Sequence, residues 1–441
     1  MFLRFRRIIP AVLKPTCRHT RLQHRSMATR MEPSKVRYGF VEEVERLDYY
    51  VRGGYHPVMI GDEFCAGPRR RQLVALKIST AGSVGRTHEM QTLSQLARAE
   101  SRLPGKAIVQ NLLDSFTFSG PNGTHQCLVT DAARTSIHEA KEAPYHRLLQ
   151  LPAAQAITSQ LILGLQFIHS QGIVHGDLHL ANILLRLPPD MQGMTLEQLR
   201  DRTGEPAKEQ VVCEDGALLD HGVPLEVIVP LWLGIDSDKI FLVDSAIMIA
   251  DFGEAFDPRV TPQFAAHTPP LLAPSESCFA EPGELDESLS FSADIWTLAC
   301  TIWDIFGSRP PFEAFPVTLD EVTIEHVEML GKLPDRWWRK WAERRNWFDE
   351  DGQKNVKESL CQWYSNSSRD WDQRFRDYIQ HPRQRRKFDF SEEKAFCDMI
   401  KSMLVLEPSK RATIDEVVRC EWMLRWDLPE LQRMDAMLKS S

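Results

Sequence analysis

The chain has 441 residues, 43% of them hydrophobic and 26% charged, with a formal net charge of -8. That composition is ordinary for a globular protein with room for two or three domain-sized units, and no uninterrupted apolar run comes near the roughly 18 residues of a membrane-spanning helix. The nine cysteines are scattered without a C-x-x-C pair, which argues against a disulfide framework or a zinc site and for buried, inert thiols in a reducing compartment.

Residues 1–31 hold eight Lys and Arg and no acid, so the remaining 410 carry 45 basic against 61 acidic groups, a balance of -16. An Arg-rich, acid-free start has the composition of a mitochondrial presequence. A disordered basic tail, or a true start at Met27 or Met31, are the other readings, and they leave the cytoplasm or nucleus as the compartment. The acidic remainder repels nucleic-acid phosphates and tolerates basic peptides.

Residues 61–78, GDEFCAGPRRRQLVALKI, end in a run where Val74, Leu76 and Ile78 alternate with Ala75 and Lys77. That is the period-two pattern of a half-buried strand. A helical stretch follows near HEMQTLSQLARA, and AIVQNLLDSFTF and QCLVT read as strands separated by the turn signal SGPNG. The first unit is thus a small sheet with one helix. From about residue 150 the pattern turns helical. LPAAQAITSQLILGLQFIHSQG places Ile157, Leu161, Leu165 and Ile168 on one face and stops at Gly172.

The next stretch, IVHGDLHLANILL at 173–185, sets His175, Asp177, His179 and Asn182 between two apolar ends. A turn whose Asp and Asn satisfy backbone donors is one explanation. The other is a phosphotransferase catalytic loop, in which an Asp orients the substrate hydroxyl and an Asn five residues later binds magnesium. Residues 186 to 243 are rich in proline and charge and read as an inserted surface excursion; within them Thr195 and Gln198 form a capping-box pattern closed by Gly204. Then SAIMIADFGEAF at 245–256 delivers Asp251-Phe252-Gly253 at the end of an apolar strand. A carboxylate there suits magnesium bound to nucleotide phosphates, and the glycine lets the chain turn away.

Three further segments follow: HTPPLLAPSES at 267–277, SADIWTLACTIWDIFG at 292–307, and LEPSKRATIDEVV at 406–418. The middle one is apolar on nearly every face, so its helix should be buried all round. Basic and aromatic residues interleave in LPDRWWRKWAERRNWF at 333–348. Nucleic-acid binding is one reading of that run; the helical spacing of Trp337 and Trp341 favours packing, and a docking role stays open.

With these motifs in this order, the chain resembles the eukaryotic protein kinase family over about residues 36–430. The resemblance implies an α+β, two-lobed fold. The N-lobe would be small, β-rich and truncated at 36–130; the larger helical C-lobe would span 131–430, with the insertion at about 186–243 and a tail at 431–441. RGGYHPVMIGDEF and the 69 positions between Asn182 and Asp251 are similar to the SR-protein kinases. GDLHLANILL, IADFGEAF and DIWTLACTIWDIFG resemble the fungal SR-protein-kinase-like group in particular. The resemblance implies ATP and Mg2+ as cofactors, a monomer, and a protein substrate, weakly one rich in arginine and serine.

By the same resemblance Asp177 orients the substrate hydroxyl, and Asn182 and Asp251 hold magnesium. Lys77 contacts the ATP phosphates, with Glu89 as its partner. Thr130 guards the back of the nucleotide pocket, and Asp131 to Ala133 form the hinge. Asp294 braces the catalytic loop, and Glu276 pairs with Arg411. Several features depart from the family pattern. Gly176 stands where an arginine is usual, so a phosphorylated activation loop lacks its customary partner; with only 25 residues from Asp251 to Glu276, activation should not require phosphate on Thr261, Thr268 or Ser275. Thr268 also resembles a structural threonine contacting the catalytic Asp. His179 stands where a lysine is usual, and H-G-D-L-H-x-x-N is shared with small-molecule phosphotransferases, the rival family. No G-x-G-x-x-G precedes Lys77: Gly53, Gly54, Gly61 and Gly67 do not supply it. FCAGPRRRQ instead joins what look like the flanks of a lost hairpin, through a skipped exon or a real loss. The alternative function is therefore a pseudokinase or scaffold.

Overall fold

The computed structural model describes residues 32–64, 73–85, 88–283, 288–362, 364, 369–383 and 386–440. The basic leader at 1–31, and residues 65–72 of the segment expected from sequence to have lost a hairpin, lie outside the described residues.

The first unit comprises β1 (Val74–Ile78), α1 (Glu89–Arg98), β2 (Leu112–Gly120) and β3 (Gly123–Asp131). Its antiparallel sheet has the order β1-β3-β2, with Lys77 opposite Leu128. A tight hairpin at Pro121 and Asn122 sets Gly120 opposite Gly123, which takes φ +133. Among the described residues β1 is an edge strand. The alternation predicted Leu76 on a covered face, yet Leu76 is 44% exposed; an edge strand has a neighbour on one side only and lacks the cover of a central one.

β4 (Ala133–Ser136) runs straight into α2 (Ile137–Glu142), whose start is closed by a capping box between Ser136 and Glu139. α3 (Leu151–Ser170) buries 16 of its 20 residues, so it threads the core. By length and composition it could cross a membrane, but 89% of that window is buried inside the protein. β5 (Ile183–Arg186) pairs with β4 on one side and with β8 (Ile247–Ile249) on the other. Between β5 and β8 lie α4 (Pro189–Gln192), α5 (Leu196–Thr203), β6 (Lys208–Gln210) and β7 (Glu226–Ile228). The Thr195–Gln198 capping box forms, and the helix stops at Gly204 with φ +82.

The segment between β5 and β8 is more than a surface excursion. Its Val211, Val223 and Val227 share an apolar cluster with Leu47 and Tyr50. Val212 O accepts from Gly39 N at 2.9 Å, and Leu73 N donates to Gln192 O at 3.4 Å. This segment therefore ties residues 39–50 to the beginning of β1.

The remainder is helical: α6 (Glu276–Phe279), α7 (Phe291–Phe306), α8 (Leu319–Leu330), α9 (Asp335–Lys340), α10 (Trp371–Phe375), α11 (Phe390–Met403), α12 (Ile414–Val418) and α13 (Leu428–Ser440). α7 lies at the centre, with Trp296 and Trp303 wholly buried. Its last carbonyls are capped by two buried cations: Lys141 reaches Gly307 O at 2.9 Å and Arg383 reaches Phe306 O at 2.8 Å, as the negative end of a helix favours. Trp337, Trp338, Trp341 and Trp347 are all buried, so the basic and aromatic run is a packing element, α-helical as far as Lys340 and 3-10 helical over Ala342–Asn346. The described cysteines are free thiols.

Candidate active site

Lys77 projects from β1 toward two carboxylates. Its Nζ donates to Glu89 Oε1 at 2.9 Å and to Asp251 Oδ1 at 2.7 Å. Glu89 is the first residue of α1 and is buried; a carboxylate suits that positive helix end. Asp251 follows β8 with φ +61, unusual for a residue other than glycine, and its Oδ1 also accepts the Gly253 amide at 3.3 Å. Burial works against both charges. For Lys77, the fields and hydrogen bonds of Glu89 and Asp251 outweigh it and hold the ammonium above its ordinary value. For Asp251, the bond and charge of Lys77 prevail and hold the carboxyl below its ordinary value. Lys77 and Asp251 thus face each other as opposite charges.

The second cluster is the loop after α3. Asp294, buried in the first turn of α7, accepts the amides of His175 at 2.7 Å and Gly176 at 3.0 Å. His169 Nε2 reaches the same carboxylate at 2.9 Å. Burial opposes the Asp294 charge, but His169, His175 and the Gly176 amide together keep its carboxyl below the ordinary range. His175 Nδ1 accepts the Asp177 amide at 3.3 Å, so Nε2 carries the proton and donates to Ala250 O at 3.1 Å. The same ring packs on Phe252 with centroids 4.9 Å apart. His175 therefore joins the Asp177 loop to the Asp251 turn.

Asn182 Nδ2 lies 2.8 Å from Asp177 O and 3.3 Å from Asp177 Oδ2. Asp177 Oδ1 is buried without a hydrogen-bond partner. The amide nitrogen of Asn182 is thus committed to Asp177, which leaves the Asn182 oxygen for another ligand.

The segment from Asp251 to Glu276 is held by backbone and buried contacts. Val174 and Phe256 exchange amide-to-carbonyl bonds of 2.8 and 3.0 Å, and Leu289 N donates to Gln263 O at 2.6 Å. Thr268 Oγ1 donates to Gly176 O at 3.4 Å, so it touches the residue before Asp177. Ser275 is buried against His326, 3.0 Å away. Thr268 is buried too, and of the three hydroxyls considered from sequence only Thr261 is exposed. Glu276 and Arg411 form a buried two-pronged pair at 2.6 and 2.7 Å. Gly176 has φ +79, and a Cβ there would stand 2.6 Å from Glu254 O. That backbone therefore admits no arginine.

Thr130, buried at the end of β3, accepts from Gln110 Nε2 at 3.1 Å. Asp131 ends β3 and Ala133 begins β4; the Asp131 carboxylate is engaged by Asn111 at 2.7 Å. Beside this junction opens a cavity of about 350 Å³ lined by Ala133, Ser136, Glu139, Ala181 and Leu184 among others. A larger cavity of about 660 Å³ is lined by Glu276 and Arg411 and by none of Lys77, Asp177, Asn182 or Asp251. The fold thus brings Lys77, Glu89 and Asp251 into one cluster and Asp177 and Asn182 into another, with Asp131 and Ala133 at the nearby junction. Sequence reasoning missed His169, Glu139 and Leu184. A polar residue in the last turn of the apolar α3 was the only sign of His169.

No family model matches the chain. Curated relatives do. A serine/threonine protein kinase of Aspergillus fumigatus is 22% identical over 413 residues, covering 87% of this chain and 91% of that protein. The chain is a homologue of the serine/threonine protein kinases. The serine/threonine-protein kinase SRPK of Physarum polycephalum is 23% identical over 442 residues, covering 87% of this chain and 92% of its own length. Human SRSF protein kinase 3 is 30% identical over 168 residues, 33% of this chain and 30% of that protein. The relatives therefore include kinases of SR-protein-kinase type.

Proposed function

We propose that the chain is a two-lobed serine/threonine protein kinase of SR-protein-kinase-like type. It would transfer the γ-phosphoryl group of ATP to a serine or threonine of a protein, with arginine/serine-rich segments as the first substrate class to test. The carrying observation is the sharing of Lys77 between Glu89 and Asp251, while Asp177 Oδ1 stays unpartnered. The side chains suit magnesium. Among the described residues no group of three or more His, Cys, Asp or Glu could hold a metal, and magnesium is commonly held by one or two side-chain oxygens with phosphate and water completing the shell. Asn182 and Asp251 would supply those oxygens, and the ion would offset charge on the phosphates.

In this reading Lys77, fixed by Glu89, neutralises the nucleotide phosphates. Asp177, oriented by Asn182, accepts the proton of the substrate hydroxyl through Oδ1. The contacts of Gly176, Phe256 and Thr268 order the activation segment without phosphate. The Glu276–Arg411 pair and the Asp294 brace favour a protein kinase over a small-molecule phosphotransferase.

A second reading, a nucleotide-binding or scaffolding pseudokinase, draws on the exposure of the Lys77 and Asp251 side chains, 49% and 48%. Titration with ATP and magnesium, paired with phosphate transfer to an arginine/serine peptide, separates the two. Binding with transfer supports the kinase, binding without transfer the pseudokinase, and the absence of both sinks the kinase reading.

A further inference from the structure

His179 stands beside Asp177 and Asn182 with a geometry that fixes its proton. Its Nδ1 accepts the Ala181 amide at 3.2 Å and so caps the short turn Leu180–Asn182. A ring nitrogen that faces a donor does not itself carry hydrogen, so the neutral imidazole keeps its proton on Nε2. Nε2 has two polar neighbours: Asn182 Nδ2 at 3.2 Å and Asp177 Oδ1 at 3.4 Å. The Asn182 amide hydrogens are directed to Asp177 O and Oδ2, so the first contact sets a donor against a donor. Asp177 Oδ1 is the buried acceptor that no hydrogen bond satisfies. The one proton on His179 Nε2 therefore has one acceptor in reach.

We infer that His179 is a positioning residue for Asp177, its Nε2–H fixing the plane of the carboxylate from the Oδ1 side while Asn182 fixes it from the Oδ2 side. The terminal torsion of an aspartate is broad and roughly two-fold, so one anchored oxygen alone leaves the other free to swing. An approach of 3.4 Å is long for a hydrogen bond, as such contacts often are before substrate closes a site. The inference rests on Asp177 serving as the base of the proposed transfer.

Two substitutions separate this role from plain capping. His179→Gln keeps a donor at the reach of Nε2, whereas His179→Asn keeps an acceptor for the Ala181 amide but falls short of Oδ1. With an arginine/serine peptide as substrate, His179→Gln should retain kcat within a few-fold; His179→Asn and His179→Ala should lose roughly ten- to a hundredfold, as misplacement of a reacting group does, with KM for ATP unchanged. The reverse order, Asn rescuing and Gln failing, overturns the inference and leaves a capping role.

A second readout needs no activity. Long-range proton–nitrogen NMR of the histidine rings, with His179 assigned by its loss in His179→Ala, should show the Nε2–H tautomer. An Nδ1–H tautomer overturns the inference. No transfer by a protein that shows the Nε2–H tautomer instead overturns the kinase reading, and the His179–Asp177 contact stands.

Discussion

Lys77 Nζ lies 2.7 Å from Asp251 Oδ1 although 174 positions separate the two residues along the chain. Two carboxylates around one half-exposed ammonium contribute little to folding, on the order of 0–1 kcal/mol; in the proposed function their value is in holding a cation for the nucleotide phosphates. Lys77→Met should therefore leave the thermal midpoint nearly unchanged while abolishing detectable transfer and weakening ATP binding at least tenfold. A large loss of stability with intact binding would refute that assignment.

In the proposed kinase, Asp177→Asn keeps the shape of the loop and removes the base. Transfer should fall by about 10²–10⁴, the usual contribution of a positioned acid or base, with affinity for ATP preserved. Parallel calorimetry and initial rates check both halves. An equal fall in binding would place Asp177 in the nucleotide site.

Much of this was legible in the chain before the fold. Asp177, Asn182 and Asp251 sit at spacings that a turn alone does not require, and Lys77 gained meaning only from them. The capping box at Thr195 and Gln198 was visible because its partners are three residues apart. Contacts between distant segments were not legible, since local pattern carries no record of them. His169 on Asp294, His326 on Ser275, and the packing of Val211, Val223 and Val227 on Leu47 and Tyr50 are of that kind. Leu76 was misjudged because alternation reports a strand's two faces and not whether the strand lies at an edge.

Gly176 offers a test of the backbone rather than of charge. Its φ of +79 disfavours any side chain by roughly 1–2 kcal/mol, and a Cβ would meet Glu254 O at 2.6 Å. Gly176→Ala should lower the thermal midpoint and slow transfer together, because the loop and the segment after Asp251 must move apart. An alanine variant with unaltered midpoint and rate would show that the close approach relaxes freely.

In the segment from Asp251 to Glu276, Thr261 is the exposed hydroxyl of the three, while Thr268 and Ser275 are buried. Thr261→Ala should therefore leave the rate of transfer as it is. Loss of activity in that variant, restored by Thr261→Glu, would establish phosphorylation control.

His326 makes stability depend on pH. Burial first, then Arg374 and Arg411, push its imidazole from 6.5 down to about 3. Unfolded, the ring binds a proton near 6.5, so below that pH the unfolded chain holds more protons than the folded one. Stability then rises with pH across the window and is lost as pH falls toward about 3. Urea midpoints from pH 6.5 downward should fall less steeply for His326→Gln than for the parent; equal slopes would remove His326 from the acid response.

The tie between Gln192 and Leu73, with the packing of Tyr50 on Val211 and Val227, bears on how the chain is made. Ribosomal synthesis delivers the first unit well before the insertion, and domains generally fold as units in order of emergence. Here β1 finds its partner β3 within the first unit, but the apolar cluster of Leu47 and Tyr50 is completed only when Val211, Val223 and Val227 leave the exit tunnel, and Lys77 waits longer still for Asp251. Leu47 and Tyr50 therefore lack part of their apolar cover until that later segment emerges, and slow translation across it prolongs their exposure.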